Sequence, residues 1–175
     1  SYTNIFVIGS TGITYNQARL NETCQYLYDK ELSFIIYTER RFQLEWFEEA
    51  KNRWGSHFLG YYLFDEPGGR QLDRSHLIVQ EAENYTDAAN QFVNNYYEVL
   101  KTWGGYTEST NSTLFTSDYA RYWFDYKAGY DVMFAEFGWN YSRQLNIALC
   151  RGAATAQNKE WGVMIVWTYN HLPYL

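Results

Sequence analysis

Phe58-Leu-Gly-Tyr-Tyr-Leu-Phe-Asp-Glu-Pro67 is the stretch on which the fold turns. Its apolar run has strand length and shows no polar residue at every second place. A half-solvated strand alternates, so a continuous run belongs to a strand buried on both faces, as in a parallel sheet. The run stops at two carboxyl groups and a proline, which cannot continue a hydrogen-bonded ladder. This is a strand that ends in chemistry.

The same form recurs on either side. Ile5–Ile8 ends at Gly9-Ser10-Thr11-Gly12, and Leu32–Thr38 ends beside Glu39. Leu114-Phe115-Thr116 ends at Asp118, Val132–Ala135 ends at Glu136, and Trp161–Trp167 ends beside Tyr169. Between them lie helical spacings: Leu20, Cys24 and Leu27; Leu44, Phe47 and Trp54, stopped by Gly55; Ala89, Phe92, Val93, Tyr96, Leu100 and Trp103; and Leu145, Leu149 and Ala156. A polar-aromatic turn, Tyr119–Tyr126, precedes the fifth strand.

Six apolar strands separated by helices predict an α/β fold with a parallel sheet covered on both faces. No Gly-x-Gly-x-x-Gly loop follows the first strand, which removes the main support for an open nucleotide-binding sheet. Acidic and aromatic residues gather instead where strands end, as they do at the C-terminal rim of a (β/α) barrel. The expectation is a TIM-barrel-like single domain over residues 1–175 with six β/α units. A full barrel takes about 250 residues, so this one is incomplete, either part of a longer chain or completed by a second copy or partner chain.

Composition narrows the function. With 14 Lys plus Arg against 20 Asp plus Glu, the net charge is −6, which disfavours nucleic acid and anionic lipid as partners. No run reaches the roughly 20 apolar residues of a transmembrane helix. The chain opens at Ser1 without a signal-peptide pattern, so a processed or partial chain is expected. His57, His76 and His171 are scattered, and Cys24 and Cys150 have no metal-ligand spacing, so neither a metal nor a cofactor is expected. The two cysteines fall on helices far apart in a barrel and read as buried free thiols. Four Asn-x-Ser/Thr triplets, at Asn21, Asn84, Asn111 and Asn140, exceed the one or two that chance gives. They lean towards an exported glycoprotein at the cell surface or outside the cell.

The chemistry converges on two carboxyl groups. Glu66 and Glu136 end strands that lie two apart, walled by aromatic residues. Poor solvation raises the pKa of such an acid towards neutrality. Two such groups flanking one cleft can hydrolyse a glycosidic bond, here with Glu66 as proton donor and Glu136 as nucleophile or base. The competing structural roles are capping or pairing of Asp65 and Glu66 with Arg70 or Arg74, and pairing of Glu136 with Arg143 or Arg151. Tyr62, Trp139, Trp167 and Tyr169 are candidate sugar platforms, since aromatic faces stack on sugar rings. Asp65 and Asp118 are candidate hydroxyl ligands, although Asp118 also reads as a helix cap. Arg151-Gly-Ala-Ala154 reads as a packing stretch.

Gly60–Gly69, Phe124–Asp131, Phe134-Ala-Glu-Phe-Gly-Trp-Asn140, Arg151–Ala154 and Trp161–Tyr169 together resemble a group of exported, archaeal-type glycoside-hydrolase-like (β/α) barrel proteins. The likeness covers the chain from about Phe58 onward. It implies a carbohydrate-active barrel with Glu66 and Glu136 as its carboxyl pair and a polysaccharide as substrate. One departure stands out: the large retaining clan carries Asn before its acid/base Glu, where this chain has Asp65. A non-catalytic glycan-binding or surface-assembly barrel is the alternative, and a sugar transferase is a third reading of the same pair.

Overall fold

A computed structural model of the chain describes residues 5–38, 44–104, 112–137 and 142–165. The described residues form six strands: β1 (Ile5–Ile8), β2 (Ser33–Thr38), β3 (Phe58–Leu63), β4 (Thr113–Asp118), β5 (Val132–Phe137) and β6 (Glu160–Ile165). They stand in one sheet in sequence order, and each pairing with a register, β1–β2, β2–β3, β4–β5 and β5–β6, is parallel. That is an α/β fold with the strand order of a β/α series. The chain divides into two compact units, Ser1–Phe64 with Glu98–Leu114, and Asp65–Tyr97 with Phe115–Leu175.

In the first unit, β1 leads into a single turn, α1 (Thr11–Thr14), and then α2 (Gln17–Asp29). The Asn16 side chain caps α2 by accepting from the Arg19 amide at 3.2 Å, satisfying an N–H with no partner in the helix. Leu20, Cys24 and Leu27 recur every three to four residues and all three are buried. Helix α3 (Leu44–Trp54) buries Trp46, Phe47, Ala50 and Trp54. It ends at Gly55, whose φ of 53° suits a residue without a Cβ. The Phe47 ring stacks on Tyr61 at 4.5 Å, and Trp54 meets Phe34 edge-on at 5.7 Å. Both indole N–H groups are satisfied, Trp46 by Asn21 Oδ1 and Trp54 by Gln25 Oε1. Each of these large side chains contributes about 1.5–3 kcal/mol by leaving water.

In the second unit, α4 (Pro67–Leu72) follows Glu66, and the first part of α5 (Tyr85–Gly104) packs Phe92 and Tyr96 against Ala128. Ile78, Val79, Val93 and Phe124 close around them. Strand β5 runs between α6 (Tyr122–Ala128) and α7 (Arg143–Gln157) in sequence, with Met133 and Ala135 fully buried. On α7, Cys150, Ala153 and Ala154 are buried, so the Arg151–Ala154 stretch packs through its two alanines. Asn158 in the left-handed region ends the helix.

One expectation is corrected. Burial on both faces holds for the inner strands but not for the edges. Ile5, Phe6 and Val7 of β1 are 39–48% exposed, and Val163 and Ile165 of β6 are exposed too. β1 and β6 each have a single neighbour in the strand order, so an apolar run alone does not tell an edge strand from an inner one. The other difference is α4, a helix where the Asp65–Gly69 pattern predicts only a turn.

Candidate active site

Three segments of the second unit build the site: the Asp65-Glu66 turn, the Ser117-Asp118 end of β4, and Glu136 on β5. Asp118 pairs in register with Ala135, which brings the end of β4 alongside the residue preceding Glu136. The Glu66 N–H donates to the Ser117 carbonyl at 3.1 Å, which draws the turn onto β4. Asn146 of α7 donates from Nδ2 to the Glu136 carbonyl at 2.9 Å. Both acids therefore hang from backbone that is held on a second element.

Glu136 is 7% exposed. Its Oε2 accepts the Ser117 hydroxyl at 2.7 Å, and its carboxyl hydrogen-bonds that of Glu66. Burial, which penalises charge, pushes Glu136 up to about 8. The neighbouring Glu66 and Asp65 carboxylates add to this, against the Ser117 O–H, which favours the ionised form. Glu66 is half-buried and also raised, by burial first and then by Asp65. The bond between the two lowers Glu66 and raises Glu136. Such a bond favours the proton on Glu136, with Glu66 as the ionised acceptor. Two carboxylates this close cannot both carry charge cheaply, which favours keeping a proton on the deeper one, Glu136.

The competing structural roles account for neither acid. The Glu66 side chain makes no cap on α4, and the Arg70 charge lowers its pKa by less than burial raises it. Among the described residues Glu136 forms no ion pair, its partners being Ser117 and Glu66.

Glu66 itself sits at φ 50°, ψ 53°, the left-handed region that a residue with a Cβ enters at a cost of about 1–2 kcal/mol. Such conformations persist where the surroundings over-determine them, and they concentrate at functional sites.

Asp118 lies elsewhere than its sequence reading as a hydroxyl ligand. It is fully buried, and its oxygens accept the amides of Gly68, Gly69, Tyr119 and Ala120 at 2.5–3.0 Å. The capping role prevails, with the capped helix some fifty residues away. Burial pushes Asp118 up to about 7 against the pull of those amides. Asp65 is half-buried and accepts from Ser117 Oγ at 3.3 Å. Ser117 has one hydrogen, and the shorter contact to Glu136 claims it.

Tyr62 is 2% exposed with its ring edge-on to Tyr37 at 5.1 Å, so it offers no open face to a sugar. Trp139, Trp167 and Tyr169 lie outside the described residues, as do Glu39 and His171. Of the glycosylation candidates, Asn21 is occupied by the Trp46 indole and Asn84 is exposed at the start of α5, accepting from the Asp87 amide. Asn111 and Asn140 are outside the described residues.

Sequence reasoning missed Ser117, Asn146 and Asp125. Asp125 of α6 is fully buried, and neither oxygen has a hydrogen-bond partner. Burial and the neighbouring Asp118 carboxylate push it well above the ordinary range. A signal existed: Asp125 shares the buried face of α6 with Tyr122 and Tyr126.

Among the described residues, no group of three or more His, Cys, Asp and Glu side chains could hold a metal ion, and no helix is long and apolar enough to cross a membrane. No family model matches the chain, and no curated protein matches it in sequence.

Proposed function

We propose that this chain is a glycoside hydrolase of TIM-barrel type, acting on an extracellular or cell-surface polysaccharide through Glu136 and Glu66. What supports the reading is the meeting of two carboxyl groups that follow the ends of separate strands, both raised above the ordinary range by burial, Glu136 to about 8. Glu136 then enters the reaction as the acid and protonates the glycosidic oxygen. Glu66, more exposed and ionised, attacks the sugar carbon or activates a water. This reverses the order expected from sequence alone, in which Glu66 is the donor. Burial decides between them, because the deeper carboxyl keeps its proton to higher pH.

The two carboxyl groups interact directly, whereas a retaining pair stands roughly 5–5.5 Å apart. Rotation of Glu66 about its side-chain bonds opens that gap when a sugar enters. Choice of a sugar as substrate rests on the motif likeness from Phe58 onward, and an extracellular setting is supported by the exposed acceptor Asn84.

Replacing Glu66 or Glu136 with Gln keeps the volume and removes the acid chemistry. Either change is expected to lower polysaccharide cleavage by at least about 10²-fold with the circular dichroism spectrum unchanged. Undiminished cleavage in both variants would overturn the assignment.

A further inference from the structure

We propose that Asp118 is the positioning residue of this site: its carboxylate gathers the Gly68 and Gly69 amides and so holds the Glu66 turn against Glu136. The role as part of a reaction rests on the hydrolase reading above; the geometry does not.

Glu66 is strained, as is Phe64 two residues before it, at φ 56°. A left-handed glutamate relaxes unless its neighbours prevent it, and the segment before it is a strand end with no helix to brace it. Pro67-Gly68-Gly69 is a weak helix former, yet it begins α4. Glu66, at the N-cap position, supplies no side-chain cap. Asp118 does: Oδ2 takes the Gly68 amide at 2.5 Å, and Oδ1 takes Gly69 at 3.0 Å. The same carboxylate takes its own flanking amides, Tyr119 and Ala120. One buried anion thus ties the residues after Glu66 to the end of β4. The Tyr96 hydroxyl donating to the Pro67 carbonyl and the Tyr119 hydroxyl donating to the Gly69 carbonyl, both at 3.1 Å, complete the clamp.

The glycines permit this approach. A Cβ at Gly68 would lie 2.9 Å from Asp118 Oδ2, 2.8 Å from the Ala120 carbonyl and 2.6 Å from Arg121 Cβ. A Cβ at Gly69 would lie 2.3 Å from the Tyr119 ring. With side chains at these positions the carboxylate would not reach the amides. The titratable groups that interact with Asp118 are Glu66, Asp125, Tyr96, Tyr122 and Cys150, and Arg121 acts on the adjoining Asp125. Asp125 is buried beside it, and the two acids raise one another's hold on a proton. A turn released from Asp118 would carry Glu66 away from Glu136, and a displacement of about 1 Å is enough to cost roughly 10²-fold in rate.

The test is Asp118→Asn in the full chain, which keeps shape but removes the charge and turns one of the two acceptor oxygens into an NH2 donor facing an amide. Two readouts need no substrate: amide hydrogen exchange at Gly68 and Gly69, and the carbon-13 carboxyl titration of Glu136. Expected are exchange at least tenfold faster at both glycines, with Met133 in β5 unchanged, and a Glu136 titration moved down from about 8 as Glu66 withdraws. A folded variant with an unmoved Glu136 titration overturns the proposal, whether or not the chain cleaves polysaccharide. If the variant does not fold, the wild type decides: Gly68 and Gly69 amides as protected as Met133 support the clamp, and exchange at loop rates refutes it. Failure of every polysaccharide would instead sink the hydrolase reading and leave these readouts in force.

Discussion

Replacing Glu136 with Gln should make the protein more stable in alkaline solution, although it removes a group proposed to be essential. Glu136 binds its proton more tightly in the folded chain, with a pKa of about 8, than in the unfolded chain, where 4.5 is ordinary. A raised pKa contributes stability that is present in full below pH 4.5 and is lost as pH rises through about 8. The interval between those values, at about 1.36 kcal/mol per pH unit, sets a ceiling of ~5 kcal/mol on the loss. Gln is permanently neutral, can donate to Glu66 as the protonated acid does, and can still accept from Ser117. The variant should therefore match the wild type near pH 4 and surpass it by up to ~5 kcal/mol above pH 8. At a urea slope of about 2 kcal/mol per M, that is a midpoint difference of up to ~2 M. Asp118, raised to about 7, and Asp125 and Glu66, both also raised, remain in the variant and leave a residual slope of the same sign. Urea midpoints by tryptophan fluorescence from pH 4 to 9 read the difference. Parallel profiles for the two proteins would refute the account, since they would mean that Glu136 titrates alike folded and unfolded.

Two further outcomes test the packing. Gly69→Ala, which drives a Cβ to 2.3 Å from the Tyr119 ring, should destabilise by about 1–3 kcal/mol. Gly152→Ala, with nothing within 4 Å of the added atom on an exposed helix surface, should stabilise by about 0.5–1 kcal/mol; thermal melts showing equal effects would discredit the close approach at Gly69. Burial pushes the thiols of Cys24 and Cys150 up to about 12, so a disulfide reagent at pH 8 should label them only as fast as the chain unfolds, and labelling of native protein at the rate seen in urea would contradict their burial.

The fold was largely legible because its signals are local. Apolar runs of strand length placed all six strands to within a residue or two, and Leu20, Cys24 and Leu27 marked α2 by spacing alone. Helix α4 escaped for the opposite reason. Pro67-Gly68-Gly69 has poor helix propensity, and its cap is donated from Asp118, which no window along the sequence contains. The exposed apolar residues of β1 escaped because a run of Ile, Phe, Val and Ile reads the same whether a strand has one neighbour or two.

The site divides along the same line. That Glu66 and Glu136 meet follows from strand ends in a parallel sheet, which residue type and position alone suggest. Which of them lies deeper was not legible, and the proposed order of acid and nucleophile rests on that depth. Glu66 stands beside a proline in the more suggestive motif, and on that ground alone it looks like the acid. Depth is conferred by what covers a residue, here by Ser117 and by the strand and helix around Glu136. Burial likewise moves Asp118 from ligand to brace: a carboxylate at a strand end is free to meet a substrate only if no backbone amide reaches it first. Gly68 and Gly69 reach it because they lack the atom that would keep them away. Side chains absent from the sequence thus decide what a side chain present in it can do, and an acid at a strand end is best judged by the amides within its reach before a substrate is assigned to it.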